Sequence, residues 1–399
     1  MMPRIRPPLF QAMSRHRAIA GLLALQVAFA AAACANTFAM LTGDIAAMRL
    51  PSGMDEAGLV VMPMPTDGGI ARPEAMARLR ALPGVRGVVA LGGTPFGIDI
   101  SSHASRDAAG LDGVVASQYE ATQGAVAMLG LDLVAGRDFS RDEFPAENDG
   151  GAAPATAIVS HALAQRLFGS DETAIGRMLY LDGEPLRIVG VVAHLLRGQP
   201  SVDAREGENE FALLVPGAPD SHLGAYMIRV DPAAARHAAS AAATALAAAN
   251  GSAPDVPGTL ADARADHFAK ARADVALLLA ATAAFLGVTA IGIFGLSFFW
   301  VRKRTAAIGI RRALGTSRGA VVRWLLLENA VVVIAGNAIG TLCALAANRW
   351  LVANSGMPPL PGTYLAAALA ATWVVAAAAA LLPALRAASM SPAVALRTA

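Results

Sequence analysis

Residues 302–328 read RKRTAAIGIRRALGTSRGAVVRWLLLE and separate two long apolar segments of the chain. Seven of these residues are Lys or Arg, and the first acidic residue is Glu328. A short basic segment between apolar segments is typical of a loop on the cytoplasmic side of a membrane. The same segment contains Gly315-Thr316-Ser317-Arg318-Gly319, which matches the G-x-S-x-G pattern of serine hydrolases.

The sequence around this basic segment is too apolar for an ordinary soluble protein, because 55% of the 399 residues are hydrophobic and the mean hydropathy is +0.49. A helix needs about 20 apolar residues to cross a bilayer. Four segments qualify, and only one of them contains a charge, Glu328, near its start: 19–41, 275–301, 324–347 and 364–385. We therefore predict an α-helical membrane protein with four transmembrane helices.

Charge is strongly segregated along the chain. Residues 44–273 carry 28 acidic and 18 basic side chains, whereas the rest of the chain carries 14 basic and two acidic ones. Arginines also precede the first span and follow the last. The positive-inside rule then places both termini and the loop 302–323 in the cytoplasm, and residues 44–273 outside.

The first span permits a second interpretation. An Arg-rich start, an apolar middle and Ala31-Ala32-Ala33-Cys34 also fit a cleaved signal peptide or a weak lipobox. The apolar run continues through Phe38, Met40 and Leu41, which favours a retained helix.

The segment 44–273 has the alternating pattern of a folded α/β domain. Asp182-Gly183 separates two β-type runs and predicts a hairpin, and Ser160 suits the start of a helix. The predicted strands are 58–62, 85–91, 155–159, 178–181, 186–192 and 226–230, the predicted helices are 73–82, 162–168 and 233–249, and the predicted loops are 142–154, 199–210 and 250–258.

Chemical motifs are scarce. The histidines show no metal-binding spacing, and both cysteines, Cys34 and Cys343, lie in apolar runs. Neither Lys270 nor Lys303 follows a glycine, so the chain contains no G-K-[ST] nucleotide loop. We predict no catalytic, metal-ligating or cofactor-binding residue.

The basic segment is predicted to form two short helices. Ala307, Ile310 and Leu314 share one face, with Arg304, Arg311 and Arg312 around it. Gly315 suits a helix stop, and Thr316 or Ser317 suits the next helix start. A serine hydrolase elbow would need a strand before Ser317, and nucleic-acid binding would need more aromatic residues than Trp324. Attraction to anionic lipid headgroups remains as a contributing alternative.

Two features of the third predicted span bear on packing. Gly336 and Gly340 form a G-x-x-x-G pair, which predicts close helix packing, with a dimer interface as the narrower interpretation. We expect Glu328 to reach the membrane surface or to pair with Arg323, rather than to relay protons.

Several motifs in order resemble the MacB/FtsX superfamily of ABC-transporter permeases over nearly the whole chain. The motifs are IGIFG at 291–295, VRKR at 301–304, IGIRRALG at 308–315, PALRAASMSPAVALR at 383–397 and, in the external segment, LGLDLVAGRDF at 129–139 and IVGVV at 188–192. In that family one span precedes a large periplasmic domain and three spans follow it. Family members commonly have Glu where this chain has Ala307.

The resemblance implies three regions: 1–43 with a cytosolic N-terminus and the first span, 44–273 as a MacB-like periplasmic core domain, and 274–399 as an FtsX-like permease domain. It also implies a bacterial inner-membrane location and a helix that transmits movement from a cytosolic ATPase. That helix comprises Arg304, Ile308, Gly309, Ile310, Arg311, Arg312, Ala313, Leu314 and Gly315.

The implied partners are a separate cytosolic ABC ATPase, which would bind the ATP and Mg²⁺, and a second permease or second copy of this chain. The ATPase is expected on another chain because only 18 residues precede the first span. A periplasmic adaptor and an outer-membrane channel would support export, whereas a periplasmic enzyme as partner would support a regulatory role without transport. A membrane-anchored hydrolase would instead depend on Ser317.

Overall fold

The computed structural model describes residues 17–65, 70–145, 155–202, 204–205, 207–217, 219, 223–250, 258–355 and 360–389. They form two compact units, one spanning Ile45–Arg272 (the external unit) and one combining the residues up to Asp44 with those from Ala273 onward (the membrane unit). The arginines predicted at the cytoplasmic N-terminus before Arg17, most of the predicted loop 142–154, residues 251–257 and the end of the C-terminal motif lie outside the described residues.

The helices, numbered in chain order, are α1 (Arg17–Arg49), α2 (Arg72–Arg80), α3 (Ala125–Leu129), α4 (His161–Phe168), α5 (Asp171–Ala174), α6 (Ala235–Asn250), α7 (Leu260–His267), α8 (Ala269–Lys303), α9 (Thr305–Ala313), α10 (Arg318–Ser355) and α11 (Gly362–Ser389). The strands are β1 (Leu59–Pro63), β2 (Val85–Gly92), β3 (Ser101–Ser105), β4 (Val114–Ala121), β5 (Leu133–Gly136), β6 (Thr156–Ser160), β7 (Met178–Leu181), β8 (Glu184–Val192), β9 (Ala212–Pro216), β10 (Gly224–Val230) and β11 (Gly258–Thr259).

The strands of the external unit form one sheet with two parts. The first part is antiparallel and runs β11-β1-β10-β2, and α2 and α6 cover the face that carries Val60, Met62 and Ile228. The alanine-rich face of α6 suits this position because small side chains let a helix lie close to a sheet, whereas α2 packs through Ala75, Met76 and Leu79. The apolar contacts between these helices and strands form one of the cores of the unit.

The second part closes on itself. β4 pairs with β3, β3 with β7, β7 with β8, β8 with β6, β6 with β9, and β9 pairs in parallel with β4. A closed ring leaves no free strand edge among these six strands. Ser160 accepts a hydrogen bond from the Leu163 amide and so starts α4, whose Leu163 and Leu167 pack into the apolar core of the ring.

Most of the elements predicted in this unit are present, within a few residues at each end. The hairpin of β7 and β8 turns at Asp182-Gly183, with Leu181 opposite Glu184. The strands that the sequence did not predict are β3, β4, β5, β9 and β11. These are short or rich in small and polar residues, such as Ser101–Ser105 (SSHAS), and their partners in the sheet stabilise them more than their own propensity does.

Among the described residues, four helices are long and apolar enough to cross a membrane: α1, α8, α10 and α11. Each extends beyond its predicted span; α10, for instance, has 38 residues and begins at Arg318. The extensions contain Ala, Leu and Arg, which favour helix in water as well as in lipid. The apolar length therefore predicted the spans but not the ends of the helices.

The ion pair between Arg137 and Glu143 generates a pH prediction for the external unit. The guanidinium and carboxylate make two hydrogen bonds of 2.8 Å, and this pairing lowers the pKa of Glu143 from 4.5 to about 2. Because the pKa of Glu143 is lower in the folded state than in the unfolded state, its ionised form stabilises the fold above pH 4.5. This stabilisation is lost as the pH falls toward 2. Glu143→Gln should therefore lower the free energy of unfolding by about 1–2 kcal/mol at pH 7. This is less than the pKa shift alone would give, because Arg137 is half exposed and water screens the pair.

The measurement is thermal unfolding of the full chain in detergent, followed by circular dichroism between pH 7 and pH 3. The difference between wild type and Glu143→Gln should shrink across this range. Glu74→Gln is the control, because Glu74 pairs with Arg78 at the surface and both are about half exposed. A difference between Glu143→Gln and wild type that does not change with pH would contradict the assignment.

Candidate functional site

The basic segment forms α9, a nine-residue helix with a defined end. The amide of Gly315 donates to the Arg312 carbonyl and that of Thr316 to the Arg311 carbonyl, both at 3.1 Å. Gly315 has a φ of +94°, a left-handed conformation that glycine adopts without strain. The Ser317 hydroxyl then accepts from the Ala320 amide at 3.3 Å and starts α10. Ser317 is thus a helix cap that follows a helix, not a nucleophile that follows a strand.

The two sides of α9 have different surroundings. Ile308 is 3% exposed and packs with Val301 of α8, Val321 and Leu325 of α10, and alanines of α11. The neighbouring Gly309 is also buried. The helix is therefore packed against three of the four long helices through one short apolar contact.

The opposite side of α9 faces outward. Leu314 is 82% exposed and Ile310 is 49% exposed, and Ala307 is exposed on the same face. Large apolar side chains at this exposure are the kind of group that a partner protein covers. The stripe predicted from the sequence is thus present, but it points away from the membrane helices, and Ile308 and Gly309 make the inward contact.

An ion pair fixes the start of α9 to α10. Arg304 Nη1 lies 3.0 and 2.9 Å from the two carboxylate oxygens of Glu328. The Glu328 side chain is 1% exposed and that of Arg304 is 25% exposed. The expected pairing of Glu328 with Arg323 is wrong, because Arg304 reaches Glu328 across the helix packing whereas Arg323 is exposed.

Two tryptophans surround this pair. The Arg304 guanidinium lies 5.9 Å from the ring centre of Trp300 and 5.4 Å from that of Trp324. Arg311 lies over the same Trp324 ring at 5.1 Å, so one indole contacts arginines from both ends of α9. Cation–π contacts of this kind hold a guanidinium in place where it is partly removed from water.

Glycines bring α10 against α1. A methyl group placed on Gly336 would come within 2.7 Å of the Ala24 carbonyl oxygen, and one on Gly340 within 2.6 Å of the Ala28 carbonyl oxygen. Both distances are shorter than side-chain contacts allow, so only glycine permits this approach. The face with the two glycines is therefore occupied by the first helix of the same chain.

A second arginine organises the external unit where α1 ends and α7 begins. Arg264 donates to the carbonyls of Met48 and Leu50 at 3.1 and 3.0 Å and to both carboxylate oxygens of Glu56 at 2.6 and 3.0 Å. Its guanidinium also lies 4.6 Å from the ring centre of Phe96. These contacts tie two segments that are more than 200 residues apart in sequence.

The structure brings together Arg304, Ile308 and Arg311 of the predicted set around α9, whereas Gly336 and Gly340 lie in a separate contact. The sequence reasoning missed Glu56, Arg264 and the role of Trp324. A charge within an apolar span was the signal for Glu328, but its partner depends on helix packing that no spacing in the sequence reveals.

Four apolar helices with a large α/β unit inserted between the first and the second define a membrane protein with an extramembrane domain. Residues 20–246 match the family model of the MacB-like periplasmic core domain, and residues 279–392 match that of the FtsX-like permease C-terminal region. The first match covers more than half of the chain. The chain therefore belongs to the MacB/FtsX family of ABC-transporter permeases, and it is an inner-membrane protein with a periplasmic segment.

Curated relatives agree with this family. The pyoverdine export ATP-binding/permease protein PvdT of Pseudomonas savastanoi pv. phaseolicola is 25% identical over 63% of this chain and 39% of its own length. The uncharacterized ABC transporter permease YknZ of Bacillus subtilis is 27% identical over 58% of this chain and 56% of its own length. The chain thus spans less than two thirds of these relatives.

Two solved structures align with about half of the chain. The extracellular domain of YknZ aligns with a TM-score of 0.35 and 17% identity, covering 51% of this chain and 98% of that domain. The periplasmic region of MacB from Actinobacillus actinomycetemcomitans aligns with a TM-score of 0.36 and 12% identity, covering 52% of this chain and 89% of that region.

The ion pair at Glu328 should contribute measurably to the stability of the membrane unit. Arg304→Met leaves a buried carboxylate without a partner, which costs about 3–5 kcal/mol. Arg304→Met combined with Glu328→Gln removes both charges, so it should lower the free energy of unfolding clearly less than Arg304→Met alone. Tryptophan fluorescence during thermal unfolding in detergent measures this, because all four tryptophans lie in the membrane unit.

Arg323→Met is the matched control, since Arg323 lies five residues before Glu328 and is exposed. It should change the unfolding temperature little. The pairing of Arg304 with Glu328 would be contradicted if Arg323→Met lowered the unfolding temperature as much as Arg304→Met does. It would also be contradicted if the Arg304→Met/Glu328→Gln variant were no more stable than Arg304→Met.

Proposed function

We propose that this protein is a non-catalytic permease subunit of an ABC transporter and that α9 receives the movement of a cytosolic ATPase that lies outside this sequence. The observation that carries the proposal is the two-sided packing of α9. Its inner side is fixed to α8, α10 and α11, and its outer side presents Ile310 and Leu314 to a partner. The sequence contains no G-K-[ST] loop, so the nucleotide site of the proposed complex would lie outside these 399 residues.

The contacts around α9 support transmission rather than simple attachment. A force on the outer side reaches α10 through Arg304–Glu328 and through Ile308, and it reaches α8 and α11 through the same apolar contact. Gly336 and Gly340 keep α10 in close contact with α1. A push on one short helix therefore acts on all four long helices.

Orientation and export are part of the proposal. The basic residues of 302–323 favour a cytoplasmic location for α9, with both termini on the same side and four membrane crossings. The names of PvdT and of the macrolide export protein MacB 1 of Aeromonas hydrophila, which is 28% identical over 51% of this chain, support export as the process. The permease would act with a second copy of itself or a sister permease, and with a periplasmic adaptor and outer-membrane channel.

The outer side of α9 gives the test. Leu314→Asp places a charge on an exposed position, so folding and insertion should stay as in wild type while coupling to the ATPase is lost. We expect transport-coupled ATPase activity of the reconstituted complex to fall at least roughly tenfold, as for the loss of a contact at the centre of an interface. Gly309→Asp is less informative, because Gly309 is buried and the variant would disturb packing as well.

Leu111→Asp is the matched control, since Leu111 of the external unit is 86% exposed and should tolerate the change. Arg312→Glu should weaken coupling in the same direction as Leu314→Asp. Normal coupled ATPase activity in Leu314→Asp would exclude α9 as the docking surface.

A further inference from the structure

A cleft lies between the start of α10 and the end of α11. It has a volume of about 680 Å³ and is lined by Arg318, Val322, Arg323, Leu382, Leu385 and Arg386, together with small residues. A second cavity of about 240 Å³ shares Arg323 and Leu326 with it. The two cavities therefore adjoin each other along α10 and α11, and together they are called the groove below.

The mouth of the groove is basic. Arg318 and Arg323 on α10 and Arg386 on α11 line it, and all three side chains are exposed. Within the described ranges, none of the three guanidinium groups has an ion pair or a side-chain hydrogen bond, and no acidic residue lines either cavity. Arg304 is neutralised by a buried carboxylate, whereas these three arginines have no counterion among the described residues. Their positive charge is therefore left for a ligand to neutralise.

The inner end of the groove is apolar. Val333, Trp373, Ala376 and Ala377 line it, as do other alanines and leucines of α10 and α11. The polar side chain there, Asn329, already has partners: its amide donates to the Leu325 carbonyl at 3.0 Å, and its oxygen accepts from the Ser297 hydroxyl at 3.0 Å. A ligand in this part of the groove meets methyl groups and an indole ring, so it has to be apolar.

We propose that the groove binds one anionic phospholipid, with its phosphate at the three arginines and an acyl chain between α10 and α11. Arginine suits this position because its planar guanidinium can form paired hydrogen bonds with phosphate oxygens. Basic pockets between membrane helices bind anionic lipid headgroups for the same reason. The start of α10 adds the partial positive charge of a helix N-terminus at the same place.

This proposal goes beyond the proposed function and does not depend on ATPase docking. The groove is lined by Arg318, the first residue of α10, which follows α9 after four residues. A bound lipid would bridge α10 and α11 and hold the start of α10 at the level of the headgroups. The same lipid contact would then stabilise the platform on which α9 rests.

The test is native mass spectrometry of the full chain released from detergent, titrated with phosphatidylglycerol or with phosphatidylcholine. Wild type should bind one phosphatidylglycerol in preference to phosphatidylcholine. Arg323→Gln combined with Arg386→Gln should weaken phosphatidylglycerol binding roughly tenfold or more, because each basic residue near an anionic headgroup contributes appreciably. Arg302→Gln combined with Lys303→Gln removes the same charge outside the groove and should leave binding unchanged.

A second variant tests the apolar part. Ala377 lines the groove and is exposed, so Ala377→Trp fills the space with little strain and should weaken phosphatidylglycerol binding as well. The proposal would be overturned if the protein bound inorganic phosphate and Ala377→Trp left phosphatidylglycerol binding unchanged. The arginines would then form a phosphate site, and no acyl chain would lie between α10 and α11. Equal binding of phosphatidylglycerol and phosphatidylcholine would also overturn the proposal. So would phosphatidylglycerol binding that is absent from the full chain and appears only when residues 390–399 are removed.

Discussion

The ion pair between Arg304 and Glu328 is the contact on which the arrangement of the membrane unit depends. A carboxylate that is 1% exposed on a membrane helix is stable only with a partner, and the partner is the arginine that directly precedes α9. This requirement fixes the position of α9 along α10. The contact of Ile308 with α8, α10 and α11 then determines which side of α9 faces inward, so Ile310 and Leu314 face outward.

The external unit uses the same kind of contact. Arg264 binds Glu56 and the carbonyls of Met48 and Leu50, and so joins the end of α1 to α7, which directly precedes α8. In both units a partly buried arginine makes an ion pair at the end of a long helix: Arg304 directly follows α8, and Arg264 binds the end of α1. The proposed transmission would need rigid joints at such ends, because a flexible connection would absorb the movement.

The sequence predicted much of this protein for identifiable reasons. Apolar length indicated the long helices, Asp182-Gly183 indicated a hairpin, and Gly315 with Ser317 indicated the end of one helix and the start of the next. Strands such as Ser101–Ser105 could not be predicted, because their stability comes from partners in the closed ring. The pairing of Glu328 with Arg304 instead of Arg323, and the inward side of α9, depend on helix packing in three dimensions.

Under the proposed function, a push on α9 reaches α10 through Arg304 and Glu328, and its effect extends to the chain segments that follow α1 and precede α8. The direct measurement is hydrogen exchange of residues 45–56 and 260–272 in the complex with the ATPase, before and after ATP is added. We expect an ATP-dependent change in wild type that disappears in the Arg304→Met/Glu328→Gln variant while the ATPase remains bound. An undiminished change in that variant would show that movement does not pass through the Arg304–Glu328 pair.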